Sequence, residues 1–245
     1  MVSLKRKCWD TKYFNQVNLP DVVGRVNPEV FSKFNGIRVL DMPIYMPGQG
    51  WKIPPFLHQF YQTISLATKF ERRYGDFEKD HYVYVTVDQK TVEQGKTGRR
   101  PGAHSDAYIE TKGAQVDLTL DTAGVIAQEQ GEVSHTYIVY DKFPTEFFKV
   151  PFPIVDTSCE GSLKTFDEIA DANEPVTYPP FLLLRLDPYV VHRCSIVPTT
   201  AQRTFVKVSI SRKKYARCGN TINPHFTYSW EMRARSPHER NHPWS

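Results

Sequence analysis

Residues 203–210 read Arg-Thr-Phe-Val-Lys-Val-Ser-Ile, and apolar side chains alternate with polar ones from Val206 onward. Successive side chains of a strand point to opposite faces, so the alternation indicates a strand with one buried face. Residues 81–89, His-Tyr-Val-Tyr-Val-Thr-Val-Asp-Gln, and residues 135–141, His-Thr-Tyr-Ile-Val-Tyr-Asp, show related patterns upstream. Aromatic residues make up 13% of the chain, which also favours strands. These runs predict a mainly β fold.

One long helix is predicted before the first of these strands. Pro54 and Pro55 stand where its first turn would begin, and Gly75 follows a final turn rich in cations. We expect the helix to cover one outer face of a sheet with an apolar stripe, made of Phe56, Leu57, Phe60, Tyr61, Ile64 and Ala67. The other expected elements are a strand at 36–40, a loop dense in Pro and Gly at 43–55, strands near 115–120 and 147–154, and a short helix at the capping box of residues 165–168 inside an acidic insert, 156–176.

The 245 residues suit a single domain, and 40% hydrophobic and 24% charged residues are ordinary for a globular protein. We divide the chain into a β core of about 81–215, an N-terminal extension of 1–80 and a basic C-terminal tail of 216–245. No apolar run approaches the roughly 18–20 residues of a membrane span, and no apolar segment follows the charged N-terminus as in a secretory signal. The four cysteines are scattered, which disfavours a zinc cluster or disulfide framework and suits a reducing compartment. We therefore expect a cytoplasmic protein that contacts no membrane.

A histidine and a carboxylate lie two residues apart in Gly102-Ala103-His104-Ser105-Asp106, just after the turn-like run Gly98-Arg99-Arg100-Pro101-Gly102. Residues i and i+2 of a strand point to the same face, so His104 and Asp106 can present their side chains together. Such a pair is two thirds of a 2-His-1-carboxylate iron site, which leaves coordination positions open for oxygen chemistry. Because His-x-Asp recurs by chance in any long chain, a hydrogen-bonded surface pair is the alternative.

The third ligand has to come from a distant strand, and His192 is the best candidate. It follows the turn signal Asp187-Pro188 between two apolar runs. Ten residues separate it from Arg203, whose rigid guanidinium offers two donors to a carboxylate. His135 ranks second, since no arginine follows it at a comparable spacing. The alternative is an all-β core in which His192 is a hydrogen-bonded core histidine and Arg203 is a surface charge.

This pattern resembles the Fe(II)/2-oxoglutarate-dependent dioxygenases, whose motif is His-x-Asp, a long gap, a second His and an Arg about ten residues on. The resemblance covers roughly residues 81–215 and implies a double-stranded β-helix, a jelly-roll or cupin-like fold with flanking helices. It implies that His104, Asp106 and His192 bind iron and that Arg203 anchors the far carboxylate of 2-oxoglutarate. Many members of the family carry a serine two residues after the arginine, where this chain has Phe205.

The resemblance implies an oxidoreductase that uses Fe(II) and 2-oxoglutarate, with ascorbate as a stimulant, and that hydroxylates its substrate while releasing succinate and CO2. Related halogenases have a small residue at the place of Asp106, so the carboxylate favours hydroxylation or a related oxidation. Tyr84, on the strand before the motif, could donate a hydrogen bond to 2-oxoglutarate; cross-strand packing is the alternative for this side chain. Two other functions remain open: a cupin-like metalloenzyme that does not use 2-oxoglutarate, and a non-catalytic jelly-roll binding or structural protein.

The sequence leaves the primary substrate open between a small molecule and a nucleotide or nucleic acid, and it does not determine the oligomeric state. The C-terminal tail interleaves cations with aromatic residues, a composition typical of nucleic-acid or nucleotide surfaces. The simpler interpretation, which we favour, is that the tail packs its aromatics on the fold and exposes its charges. The basic loop of residues 90–102 precedes the proposed ligands, and it either covers the mouth of the site or is merely solvated.

Overall fold

The computed structural model describes residues 4–36, 38–99, 101–106, 132–156 and 159–232. Within these ranges the chain forms two antiparallel sheets and few helices, which confirms the mainly β prediction. The strands are β1 Asp21–Arg25, β2 Val39–Met46, β3 Gly50–Trp51, β4 Tyr82–Val92, β5 His135–Tyr140, β6 Thr145–Phe148, β7 Pro175–Thr177, β8 Leu182–Leu186, β9 His192–Cys194 and β10 Ala201–Ser211. The helices are α1 Glu29–Ser32, α2 Tyr61–Glu71 and α3 Cys159–Asp171, with 3₁₀ turns at Thr11–Asn15, Pro55–Phe60, Arg72–Tyr74 and Phe77–Lys79.

The larger sheet has the strand order β1-β8-β5-β10-β4-β2-β3, and β10 lies near its centre. Strand β10 pairs along its whole length with β4 and over six residues with β5. Its side chains at 206, 208 and 210 pack in one cluster with the buried residues of α2, as the alternation predicted. Fully burying such an aliphatic side chain contributes about 1.5–3 kcal/mol, so this contact sets which face of β10 points outward. The opposite face, with Phe205, looks toward the smaller sheet.

The predicted helix is present, but its first turns differ from the expectation. Residues Pro55–Phe60 form a 3₁₀ helix, and the α-helical geometry begins only at Tyr61. A 3₁₀ helix has fewer residues per turn than an α-helix, so it changes which residues of the segment lie on the apolar face. Phe56 and Tyr61 are consequently exposed, and the buried stripe consists of Leu57, Phe60, Ile64 and Ala67. The helical segment ends at Gly75, whose φ of 119° suits glycine.

Several boundaries predicted from the sequence were wrong. Strand β2 runs through Pro43, where a loop was expected, because register shifts on both sides of Pro43 accommodate a residue without an N–H. Strand β6 begins at Thr145 and ends at Phe148, earlier than the strand expected at 147–154. Thr165 lies inside α3 and donates to the carbonyl of Gly161, so the helix begins before the supposed cap. The strand expected near 115–120 falls outside the described residues.

The smaller sheet has the order β7-β6-β9 and faces the inner side of the larger one. A shared apolar cluster joins the two sheets, formed by Ile138, Tyr140, Phe147, Leu184, Leu186, Val190 and Phe205. Because β9 carries His192, this packing brings the candidate ligand against the inner face of the larger sheet.

Aromatic side chains of the segment that follows β10 pack on β4. Tyr215 stacks on Tyr84 with ring centroids 4.0 Å apart, and the ring of Trp230 meets Tyr82 edge-on at 5.6 Å. Among the described residues, no helix has the length and apolar character that crossing a bilayer requires.

Candidate metal centre

The two candidate histidines face each other across a short antiparallel bridge. The backbone N–H of His104 donates to the carbonyl of His192 at 2.9 Å, and His192 returns the bond at 2.9 Å. Directly opposed residues of antiparallel strands hold their side chains close together. The imidazole centroids are accordingly 4.6 Å apart, although 87 residues lie between them in sequence.

Asp106 completes a cluster of three potential ligands. One ligand atom from each of His104, Asp106 and His192 lies within 4.8 Å of the other two. The spacing predicted for a bound ion is roughly 3 Å, since each bond is about 2 Å long, so the side chains would close slightly around it. Asp106 and His192 are each only 7% exposed. A carboxylate in such a place is costly unless a cation or hydrogen-bond donors compensate its charge.

Hydrogen bonds orient both imidazoles for coordination through Nε2. Nδ1 of His104 donates to the carbonyl of Gly102 at 3.0 Å, and Nδ1 of His192 donates to the carbonyl of Val190 at 3.0 Å. With the proton held on Nδ1 by a carbonyl, the ring's lone pair lies on Nε2. Metal-binding histidines are typically held in this way by their second nitrogen.

Helix α3 fixes the loop that carries His104 and Asp106. The Asp167 carboxylate accepts a 2.6 Å hydrogen bond from the backbone N–H of Ala103, and burial raises the pKa of Asp167. The Ser105 hydroxyl donates to the carbonyl of Pro188, in the turn that leads to His192. The sequence signal for Asp167 was weak, because an acidic insert does not reveal which carboxylate turns inward.

The three candidate ligands form part of one pocket wall, and the cavity beside them is small, about 30 Å³. The larger sheet, the smaller sheet and the ligand loop all contribute to the lining, which consists of Arg99, His104, Asp106, Ile138, Thr145, His192, Cys194, Phe205 and Lys207.

Arg203 is not among the side chains that line this pocket. It is 3% exposed, and its Nε donates to the carbonyls of Lys142 at 3.0 Å and Phe143 at 3.2 Å. Its Nη2 is buried without a hydrogen-bond partner among the described residues. Burial and the nearby guanidinium of Arg99 lower the pKa of Arg203. The role of Arg203 as the anchor of the 2-oxoglutarate carboxylate stays a prediction.

Two other cations line the pocket and were missed as site residues. The guanidinium carbon of Arg99 lies 4.7 Å from the centre of the Phe205 ring. Lys207 forms a buried ion pair with Asp41, with Nζ 3.2 Å from Oδ1, and Asp41 has an unusual φ of 41°. The alternation of β10 places Lys207 on the same face as Phe205, so the strand pattern contained this signal.

Two other sequence candidates lie apart from the pocket lining. The buried hydroxyl of Tyr84 donates to the carbonyl of Lys213 at 2.9 Å and accepts from the N–H of Tyr215 at 3.1 Å. Both bonds go to backbone groups of the segment that follows β10. The contact of Tyr84 with 2-oxoglutarate stays a prediction. His135 binds the Glu71 carboxylate through Nδ1 at 2.9 Å, on the outer side of the sheet.

Comparisons with known proteins give only distant structural neighbours. No protein-family model and no curated protein matches the sequence. The iron-bound structure of HygX from Streptomyces hygroscopicus has a TM-score of 0.44 and 10% identity, covering 82% of this chain and 84% of that chain. HygX with nickel and 2-oxoglutarate bound has a TM-score of 0.41 and 12% identity, with coverage of 82% and 84%. AviO1 from Streptomyces viridochromogenes Tue57 has a TM-score of 0.40 and 9% identity, covering 82% of this chain and 92% of that chain. At this distance no residue role is transferred.

Proposed function

We propose that this chain is a non-haem Fe(II)- and 2-oxoglutarate-dependent oxygenase that hydroxylates its substrate, with His104, Asp106 and His192 as the iron ligands. The observation that carries the proposal is the convergence of these three ligand atoms within 4.8 Å on the wall of a pocket. Two imidazoles and one carboxylate are the donor set of non-haem iron oxygenases, and three protein ligands leave coordination positions open.

The surroundings suit the metal. Both imidazoles are held as the tautomer that coordinates through Nε2, and the buried Asp106 supplies one negative charge. Bound iron, together with 2-oxoglutarate and dioxygen, supplies the oxidising chemistry, in which 2-oxoglutarate becomes succinate and CO2. The protein contributes the orientation of the ligands and a pocket that is lined in part by the apolar side chains of Ile138 and Phe205.

We also propose that the two sheets form a double-stranded β-helix. The larger sheet places β8, β5, β10 and β4 side by side, while β6 and β9 of the smaller sheet cover its inner face. Side chains from both sheets line the metal pocket, as a site inside two facing sheets requires.

Arg203 is proposed as the residue that compensates the distal carboxylate of 2-oxoglutarate. A buried donor left without a partner costs about 1–3 kcal/mol, and more when the group is charged. Arg203 Nη2 is such a donor among the described residues, so an anion bound near it would recover that cost. A charge-assisted hydrogen bond between guanidinium and carboxylate is stronger than a neutral one.

The function is tested by supplying the purified protein with Fe(II), ascorbate and 2-oxoglutarate and measuring succinate. We expect slow succinate release without a primary substrate, through uncoupled decarboxylation, and none in Asp106→Ala, which lacks one ligand. Metal binding without any consumption of 2-oxoglutarate would favour the cupin-like metalloenzyme. Failure to bind Fe(II) would leave only a binding or structural protein.

Anaerobic titration of the iron-loaded protein with 2-oxoglutarate tests Arg203. Arg203→Lys keeps the charge but loses the planar fork, so it should weaken binding, and Arg203→Ala should weaken it further. Iron affinity should remain unchanged in both. The exposed Arg38 provides a control, since Arg38→Ala removes the same charge outside the pocket lining. Equal 2-oxoglutarate affinity in wild type and Arg203→Ala would reject the assignment.

A further inference from the structure

Nε of Arg203 is not available to a carboxylate. It is occupied by the carbonyls of Lys142 and Phe143, while Nη2 remains without a described partner. A bidentate pair requires two parallel N–H donors from the same edge of the guanidinium, so the edge formed by Nε and Nη2 cannot make one. A second cationic donor near Nη2 would supply the contact that this edge lacks.

Arg99 is positioned beside Arg203 by a loop that is paired at both ends. Thr97 bridges to Ile196, and His104 bridges to His192. Between these points, the Thr97 hydroxyl donates to the carbonyl of Arg99 at 2.6 Å. The bridge at Thr97 holds the backbone near Arg99, and the contact with the Phe205 ring places its guanidinium.

The loop also packs directly on the Arg203 side chain. A Cβ on Gly98 would lie 3.1 Å from Arg203 Nη1, closer than most side-chain contacts allow. The absence of a side chain at Gly98 therefore permits the close approach of the two segments.

The two guanidinium groups meet at one aromatic ring. The guanidinium carbon of Arg99 lies 4.7 Å from the centroid of Phe205, and that of Arg203 lies 5.2 Å from it. Arg99 lines the metal pocket. Two like charges close together repel each other, and an anion between them would relieve that repulsion.

We propose that Arg99 and Arg203 form a single carboxylate site across the ring of Phe205, with Arg99 as the contact at the pocket wall. This inference rests on the proposed function, because the carboxylate assigned to the site is the distal one of 2-oxoglutarate. The two arginines thereby select a dicarboxylic 2-oxo acid over a metal-binding ligand that lacks a carboxylate distant from the metal. Arg99 belongs to the same loop as two of the proposed iron ligands, so one short segment serves both the metal and the co-substrate.

Calorimetric titration of the anaerobic Fe(II)-loaded protein tests this site with 2-oxoglutarate and with oxalate. Oxalate can chelate the metal but carries no distal carboxylate, so it reports on the metal alone. Arg99→Gln should weaken 2-oxoglutarate binding by roughly 10- to 100-fold, as expected for loss of a charge-assisted hydrogen bond. Oxalate affinity should stay within about twofold of wild type, the scatter between unrelated variants. Arg99→Lys should bind 2-oxoglutarate with intermediate affinity, since it retains the charge without the planar donors.

Lys96→Gln is the matched control, because Lys96 is an exposed cation on the same loop. It removes one positive charge from the loop and should leave both affinities unchanged. Unaltered 2-oxoglutarate affinity in Arg99→Gln would overturn the inference while leaving the proposed function intact. An equal loss for 2-oxoglutarate and oxalate would also overturn it, because the effect would then act through the metal. Absence of 2-oxoglutarate binding in the wild type would instead reject the proposed function itself.

Discussion

The described residues include two clusters of histidine and carboxylate, and they differ in the partners to which the histidines are bonded. The Glu71 cluster consists of Arg6, Glu71, His135 and Tyr137. Glu71 binds His135 Nδ1 at 2.9 Å and also accepts from Arg6 and from the Tyr137 hydroxyl. Burial raises the pKa of Glu71, but the charges of His135 and Arg6 outweigh it and lower the pKa to about 2.

In the candidate metal centre, the histidines are bonded to the backbone instead. His104 and His192 direct their Nδ1 atoms to backbone carbonyls, so each ring presents Nε2, and the cluster borders a pocket. The Glu71 cluster ties the N-terminal segment to α2 through the Arg6–Glu71 ion pair. Residue types alone therefore do not distinguish a structural cluster from a candidate metal site. The hydrogen-bond partners of the histidines make that distinction.

The largest expected effect comes from replacing one histidine of each cluster by alanine. His192→Ala should abolish succinate release from 2-oxoglutarate while the protein stays folded, because a proposed metal ligand is lost. His135→Ala should lower the melting temperature but retain succinate release per folded molecule. Succinate assays and thermal unfolding of both variants provide the measurement. Loss of succinate release in folded His135→Ala would contradict the assignment of His192 as the third ligand.

The next effect concerns the carboxylate of the Glu71 cluster. Glu71→Gln leaves Arg6 buried without its counter-charge, so we expect a loss of roughly 3–5 kcal/mol in unfolding free energy. Denaturant unfolding at pH 7 measures it. Glu29→Gln serves as the control, since the Glu29–Lys33 pair is exposed and contributes little. A change below 1 kcal/mol in Glu71→Gln would show that the ion pair is solvated.

Acid should weaken the fold through His81 before it reaches Glu71. Burial and the charge of Arg6 lower the pKa of His81 to about 4, against an ordinary value of 6.5. His81 therefore binds a proton at a higher pH in the unfolded chain than in the folded chain. The free energy of unfolding consequently falls as the pH drops from about 6.5 through 4. The contribution is at most about 3 kcal/mol. Protonation of Glu71 continues the loss between its ordinary value of 4.5 and about 2.

Unfolding free energies measured between pH 7 and 4 test the part due to His81. His81→Gln should flatten this dependence, whereas His225→Gln, which changes an exposed histidine, should not. An unchanged pH profile in His81→Gln would mean that His81 titrates alike in the folded and unfolded chains.

The smallest effect concerns the support of the metal loop by α3. Asp167→Asn weakens the acceptor for the Ala103 N–H and should reduce Fe(II) affinity by about tenfold, the lower end for residues that orient metal ligands. Glu168→Gln alters a neighbouring exposed carboxylate and should have no effect. Equal Fe(II) affinity in all three proteins would show that the bridge to β9 suffices to place His104.

Much of the strand pattern could be predicted from the sequence because its period is local. The alternation in residues 203–210 placed Phe205 and Lys207 on the face opposite Val206, and the structure has them so. The boundaries of β2 and α2 were less predictable. They depend on a bulge beside Pro43 and on a 3₁₀ turn before Tyr61, which neighbouring segments stabilise.

By itself, the sequence determined the mainly β character, the outer helix and the shared direction of the His104 and Asp106 side chains. Each of these follows from the spacing of neighbouring residues. Only the tertiary structure decided which distant histidine joins them, since His192 and His135 both lie on buried strands. It also decided that the guanidinium of Arg203 lies beside the Phe205 ring and that Arg99 lines the pocket. The odd or even position of a residue along a strand fixes the face to which its side chain points. Depth and choice of partner depend on contacts between segments far apart in the chain, which no local pattern encodes.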